Sequence, residues 1–269
     1  MRDRDEDYLD GIVLMTDRGL KHDRNEDAAA AGTVSGAAGQ RPHAIVAAVC
    51  DGVSSSPDAY KASRAASTAG VEAMLNAVAE SRDMSSVVLA GLGDAAQAAA
   101  AARTPGVENR PAPACTYAAA AVVFTSAGEA QITVANVGDS RAYWLPEPPA
   151  QPRRLTVDDS LAQGLISAGV PPDAHVVQKG AHTLTKWLGG NTESKPWDDS
   201  SVSTMTTADR GVLLLCSDGL HNYLSEAADV APFCNRTHPT VAARALVDHA
   251  LRSGGHDNIT VVLIPIGLQ

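Results

Sequence analysis

The 269-residue chain carries 21 Lys and Arg against 31 Asp and Glu, a net charge of −10, with 45% hydrophobic but only 4% aromatic residues. That balance disfavours nucleic acid and anionic membrane surfaces as partners, and it repels phosphate, so a phosphorylated substrate would need bound cations to approach. The four cysteines, Cys50, Cys115, Cys216 and Cys234, show no CxxC spacing and read as buried reduced thiols, not a disulfide framework or a zinc site.

The opening MRDRDEDYLD is too acidic for a secretory signal, and no apolar run approaches membrane-spanning length. A cytoplasmic monomer is expected, with a loose acidic tail over residues 1–10 and a single domain over 11–269. In chain order, Ile12 to Met15 predicts a short first strand. The polar loop TDRGLKHDRNEDA over 16–28 follows, and its end, Glu26-Asp27, meets the next apolar stretch. Ala44 to Gly52, AIVAAVCDG, has no polar side chain before Asp51, which predicts a strand covered on both faces and ending in a carboxylate. After the loop VSSSPD, Ala62, Ala65, Ala66, Ala69, Ala73 and Ala77 mark the close-packing side of a helix from Ala59 to about Glu80. Asp83 to Ala102 predicts a second helix, and the pair is expected to form an antiparallel layer on a sheet.

The stretch Thr104 to Pro113 is Pro-rich and polar. Cys115 to Thr125 and Ala130 to Val137 predict a hairpin joined by SAGE, leading through Gly138-Asp139-Ser140 into a strand over Arg141 to Leu145, where Arg141 is a candidate partner for Asp139. Pro146 to Pro152 reads as a hairpin tip, and Thr156 to Gly169 as a short helix with Asp158-Asp159-Ser160 as its capping signal. Residues 170–196 are expected to form an irregular flap. Val212 to Gly219, VLLLCSDG, repeats the strand-Asp-Gly construction at Asp218. Thr240 to Leu251 predicts a helix, and Ile259 to Ile266 a closing strand entered through Asp257. Helices in consecutive pairs and many strands argue for an α+β sandwich.

Strand ends thus present Glu26, Asp27, Asp51, Asp139, Asp218 and Asp257. One Asp-Gly pair is an ordinary turn, but a set of carboxylates at core edges, with few cations beside them, costs solvation free energy unless something pairs them. Oxygen donors without a neighbouring His or Cys set select Mg²⁺ or Mn²⁺ over zinc, and two such ions about 3.5–4 Å apart suit attack by water on a phosphate ester. His43, His175, His182, His238 and His249 are scattered and predict no competing catalytic set. No GxSxG, P-loop or GxGxxG motif is present.

TDRGLKHDRNEDA at 16–28, VCDG at 49–52, ANVGDSRAY at 135–143, CSDGL at 216–220 and HDNITVVLI at 256–264 together resemble, in order, the motifs of the bacterial metal-dependent protein phosphatases of the PP2C (PPM) family. The resemblance implies a two-sheet β-sandwich flanked by pairs of antiparallel helices. It also implies hydrolysis of phosphoserine and phosphothreonine in proteins, the products of a Ser/Thr kinase, by two Mn²⁺ or Mg²⁺ ions and a weaker third. By position, Asp51 would bridge the two metals. The Gly52 carbonyl, Glu26 or Asp27, Asp218 and Asp257 would complete their shells, and Asp139 would help hold the third. Where the family carries a phosphate-binding arginine this chain has His22, flanked by Lys21 and Arg24, so the phosphate contact lies among these three. A pseudophosphatase that binds phosphoproteins with little turnover is the alternative.

Overall fold

The computed structural model describes residues 4–35, 42–103, 112–126, 128–190, 192 and 195–267. β1 (Arg4–Leu9), β2 (Ile12–Asp17), β3 (Ala28–Val34) and β4 (Ala44–Cys50) precede the helices α1 (Ala59–Ala79) and α2 (Met84–Ala101). Next come β5 (Ala114–Cys115), β6 (Tyr117–Phe124), β7 (Ala130–Val137), β8 (Arg141–Pro146) and β9 (Arg153–Arg154), then α3 (Leu161–Ser167), α4 (His175–Lys179) and β10 (Leu188–Gly189). The chain closes with β11 (Val202–Thr207), β12 (Gly211–Cys216), α5 (Asp218–His221), α6 (Ala227–Cys234), α7 (Pro239–Arg252) and β13 (Ile259–Ile266). One sheet runs β1-β2-β13-β12-β8-β9, the other β11-β7-β6-β4-β3, and β10 pairs with β5.

Strand periodicity sorts the side chains into three layers. In β4, Ile45, Ala47 and Val49 face the other sheet, where Leu213, Leu215, Val262 and Ile264 meet them. The alternate residues Val46, Ala48 and Cys50 face α1 and α2. Both faces are covered, so the expected uninterrupted apolar run is buried throughout. On the far side Leu214, Val261 and Leu263 pack against Leu246 and Val247 of α7 and Val230 of α6. The architecture is the α+β sandwich with helix pairs outside that the sequence predicts.

The alanine-rich face of α1 lets the helices approach closely. A Cβ on Gly70 would overlap the Tyr117 hydroxyl, and one on Gly91 would lie 2.6 Å from Met74 Cγ. Gly70→Ala is therefore expected to lower stability by up to about 2 kcal/mol: overpacking costs about 1–3 kcal/mol, against roughly 1 returned by helix propensity. The atom nearest the new methyl is the hydroxyl, so Tyr117→Phe in the same chain should restore part of the loss. Urea unfolding midpoints of the single and double variants check this.

Three expectations are corrected. Residues 4–9 are not a loose tail but an edge strand pairing with β2 from Arg4↔Asp17 to Leu9↔Ile12. Its charges are spent on specific partners: Arg4 reaches Asp17 at 3.0 Å and Asp248 at 2.7 Å, and Arg244 reaches Glu6 at 2.7 Å. The 170–196 segment is partly ordered, holding α4 and β10; residues 191, 193 and 194 lie outside the described residues. Arg141 pairs with Asp158 at 2.6 Å instead of Asp139. Of the Pro-rich stretch 104–113, residues 104–111 lie outside the described residues, as does residue 127 of the SAGE turn. No helix among the described residues is long and apolar enough to cross a membrane.

Candidate active site

Four carboxylates arrive at the same end of the sandwich from different chain segments. Asp51 leaves β4, Asp139 sits between β7 and β8, Asp218 opens α5 after β12, and Asp257 precedes β13. All four line one cleft of about 640 Å³, with Gly52 and Thr116 on the same wall. The scaffold fixes them through the backbone. Asp51 N–H donates to Thr116 Oγ1 at 3.0 Å, Thr116 N–H returns to the Asp51 carbonyl at 2.8 Å, and Thr116 Oγ1 shares a 2.7 Å bond with Ser140. Gly219 is needed for close approach, since a Cβ there would overlap the Asn258 carbonyl.

Burial and mutual repulsion make these groups poor carboxylates when alone. Burial pushes the Asp51 carboxyl well above its usual range, with Asp27, Asp218, Asp139 and Asp257 adding like charge. Burial carries Asp139 up to about 8, and Asp218 and Asp158 add to it. Asp218 is raised by burial and then by Asp257, while hydrogen bonds from Asn222 and Asp51 act the other way. Asp218 Oδ1 is buried with no hydrogen-bond partner among the described residues, save the proton that a neutral Asp51 would share with it. No Lys or Arg is among the described residues lining the cleft.

The donors Asp51, Asp218, Asp257 and the Gly52 carbonyl suit a hard divalent cation by charge and by atom type. As the side chains stand, no group of three or more His, Cys, Asp or Glu among the described residues is arranged to hold a metal ion. The orphaned Asp218 oxygen and the raised carboxyls nevertheless fit a cation, because like charges without a counter-ion do not draw together unaided.

Asp27 and Glu26 lie outside the cleft wall. Asp27 is buried behind it and accepts from Ser217 Oγ at 2.7 Å; burial raises its carboxyl to about 7. Glu26 is half-buried and likewise raised, chiefly by burial. None of Lys21, His22 and Arg24 lines the cleft. His22 Nε2 is 3.2 Å from Asp257, Lys21 is exposed, and Arg24 stacks 4.2 Å from the Tyr60 ring centre. In their place the fold brings His182 and His256 to the wall, with His182 Nδ1 4.0 Å from Asp218.

Asn258 was not singled out by its chemistry, although it directly follows Asp257. Its Oδ1 accepts from Glu26 N–H at 2.7 Å, and its Nδ2 donates to the carbonyls of Arg18 at 2.7 Å and Arg24 at 3.1 Å. One buried amide thus pins the 18–26 loop to the root of β13. At about 1 kcal/mol per bond, Asn258→Ala is expected to lower stability by about 2–3 kcal/mol. Amide hydrogen exchange should rise across residues 18–26 and stay slow in β4.

The protein phosphatase 2C model matches residues 18–253. The chain belongs to the protein phosphatase 2C family. It is 34% identical over 142 residues to the serine/threonine phosphatase stp of Listeria innocua serovar 6a, covering 52% of this chain and 54% of that relative. It is 31% identical over 141 residues to the serine/threonine protein phosphatase PstP of Mycobacterium tuberculosis, covering 51% of this chain and 25% of PstP. The chain thus spans about half the length of the Listeria relative it matches. Among solved structures, a bacterial serine phosphatase is similar with a TM-score of 0.74 at 20% identity, over 96% of this chain and 98% of that one. The catalytic domain of PstP in complex with 2 manganese ions is similar with a TM-score of 0.62 at 24% identity, over 94% and 96%. These likenesses show the protein phosphatase 2C fold over nearly the whole chain.

Proposed function

We propose that the cleft hydrolyses phosphoserine and phosphothreonine in proteins with two divalent cations, Mn²⁺ or Mg²⁺. The observation that carries this reading is the meeting of Asp51, Asp139, Asp218 and Asp257 in one cleft whose described lining includes no Lys or Arg. Such a wall attracts cations and repels a phosphate dianion until cations are present. Asp51, the Gly52 carbonyl, Asp218 and Asp257 would hold the pair, backed by Glu26 and Asp27, and Asp139 would serve a weaker third site. When bound, the cations lower the pKa of water and neutralise phosphoryl charge. The structure of the PstP catalytic domain with two manganese ions supports the same cofactor.

The chain's own side chains set the donor orientation. Asn222 Nδ2 donates to Asp218 Oδ2 at 3.2 Å, and His22 braces Asp257. His22 reaches the cleft only through its bond to Asp257, so a phosphate contact by Lys21, His22 or Arg24 would need the loop that carries them to shift toward the cleft. The full carboxylate set favours turnover over a pseudophosphatase that only binds phosphoproteins. The substrates would be products of a Ser/Thr kinase, met in the cytoplasm by a monomer whose single domain takes in β1 and carries the flap at 170–196. The test is phosphate release from a phosphothreonine peptide with Mn²⁺ and with EDTA. Release that depends on Mn²⁺ is expected; no release in either condition would overturn the reading.

A further inference from the structure

A second groove, of about 450 Å³, adjoins the carboxylate cleft. The two are continuous, because Val53, Ser55, His182 and Leu184 line both. Their chemistry differs. The cleft is acidic, whereas among the described residues no Lys, Arg, Asp or Glu lines the groove, whose other walls include Ala112, Ala114 and Trp187. The groove is also built in advance. β10 pairs with β5 as Leu188↔Cys115 and Gly189↔Ala114, and Trp187 Nε1–H donates to the Gly190 carbonyl at 2.9 Å, which fixes the indole. The opposite wall is tied by Val53 N–H to the Ala114 carbonyl at 2.9 Å and by Ala114 N–H to Ser56 Oγ at 3.0 Å. A ligand entering walls held in this way orders little of the protein.

We infer that this groove takes the side chain beside the phosphorylated residue of the substrate and selects an apolar one. The inference rests on the phosphatase reading above. Successive residues of an extended peptide are about 3.3 Å apart, so a peptide with its phosphate in the cleft has its next side chains at the rim, where the groove opens. A Lys or Asp placed there would lose hydration without a charged partner among the described wall residues. A Leu, Val or Phe would instead remove apolar surface from water against Leu184 and Trp187.

The test uses the intact chain with Mn²⁺ and a set of phosphothreonine peptides that differ only at the residues flanking the phosphothreonine: Leu, Ala, Lys or Asp. A small phosphate ester, which fills the cleft but not the groove, is assayed beside them. The Leu peptides are expected to be cleaved roughly ten-fold better than the Lys and Asp peptides in kcat/KM, with the difference in KM. Trp187→Ala should shrink that ratio to about two-fold. Ser55→Glu, at an exposed position, should shrink it as well and shift preference toward Lys, which guards against a folding defect in the tryptophan variant. Equal kcat/KM across the peptides, or a Leu preference that survives both substitutions, overturns the groove inference while the phosphatase reading stands on the ester. Failure to hydrolyse the ester and every peptide with Mn²⁺ overturns both.

Discussion

Asp218→Asn is expected to lower kcat for a phosphothreonine peptide by at least about a hundred-fold while leaving the fold intact. The substitution keeps volume and shape and removes one charge. Asp218 Oδ1 is buried without a hydrogen-bond partner among the described residues, and the carboxyl is already raised by burial and by Asp257, so the group is costly to the protein by itself and useful only as a cation ligand. The same reasoning predicts an opposite sign for stability. In the metal-free protein an amide at this position relieves repulsion with Asp257 and can donate to Asp51, so the EDTA-treated variant should melt no lower than the EDTA-treated parent. Loss of activity together with unchanged or raised metal-free stability separates a ligand from a folding residue. Near-full activity of Asp218→Asn at saturating Mn²⁺ would sink the assignment.

What the sequence disclosed follows from local physics. β4 was legible because both of its faces are covered, which forces an unbroken apolar run, and Asp51 was legible because it ends that run. β1 was not, since Arg4, Glu6 and Asp7 look like a solvated tail until Asp17, Asp248 and Arg244 are brought beside Arg4 and Glu6 from distant positions. Arg141 had Asp139 two residues away, yet its partner is Asp158 across the β8–β9 end. His182 belongs to a flap with little periodicity, and nothing in spacing alone says that such a loop folds over Asp218. α6 was missed because Pro232 lies inside it, a residue that normally argues against a helix. Long-range placement, and not residue type, separates the legible from the hidden here.

Chelated protein is expected to lose thermal stability as pH rises from about 6.5 to about 8, and Mn²⁺ is expected to restore most at the top of that range. Burial raises the Asp27 carboxyl to about 7 and Asp139 to about 8, and it raises Asp51 and Asp218 as well. Each of these has a folded pKa above its unfolded value of about 4. Their contribution is therefore fully present below about pH 4 and is lost as pH climbs through the folded values. The chosen window avoids two other titrations. His221, bonded to the Asp139 carbonyl at 2.9 Å, is buried, and burial lowers it to about 3; above about pH 6.5 its ring is mostly neutral in both states. The buried thiols, with Cys216 and Cys234 each pushed up to about 12 by burial, begin to matter only when cysteines of the unfolded chain ionise, near about pH 8.5. A cation needs its carboxylates ionised, so its affinity rises across the same window, and saturation at a hundred times Kd is worth about 2.7 kcal/mol. The melting temperature in EDTA should fall by roughly 4 °C or more, Mn²⁺ should close most of that gap at about pH 8, and Asp218→Asn should flatten the slope. A melting temperature in EDTA that stays level or rises across the window, or an Mn²⁺ increment equal at both ends, would show that these carboxyls are not held against their charge.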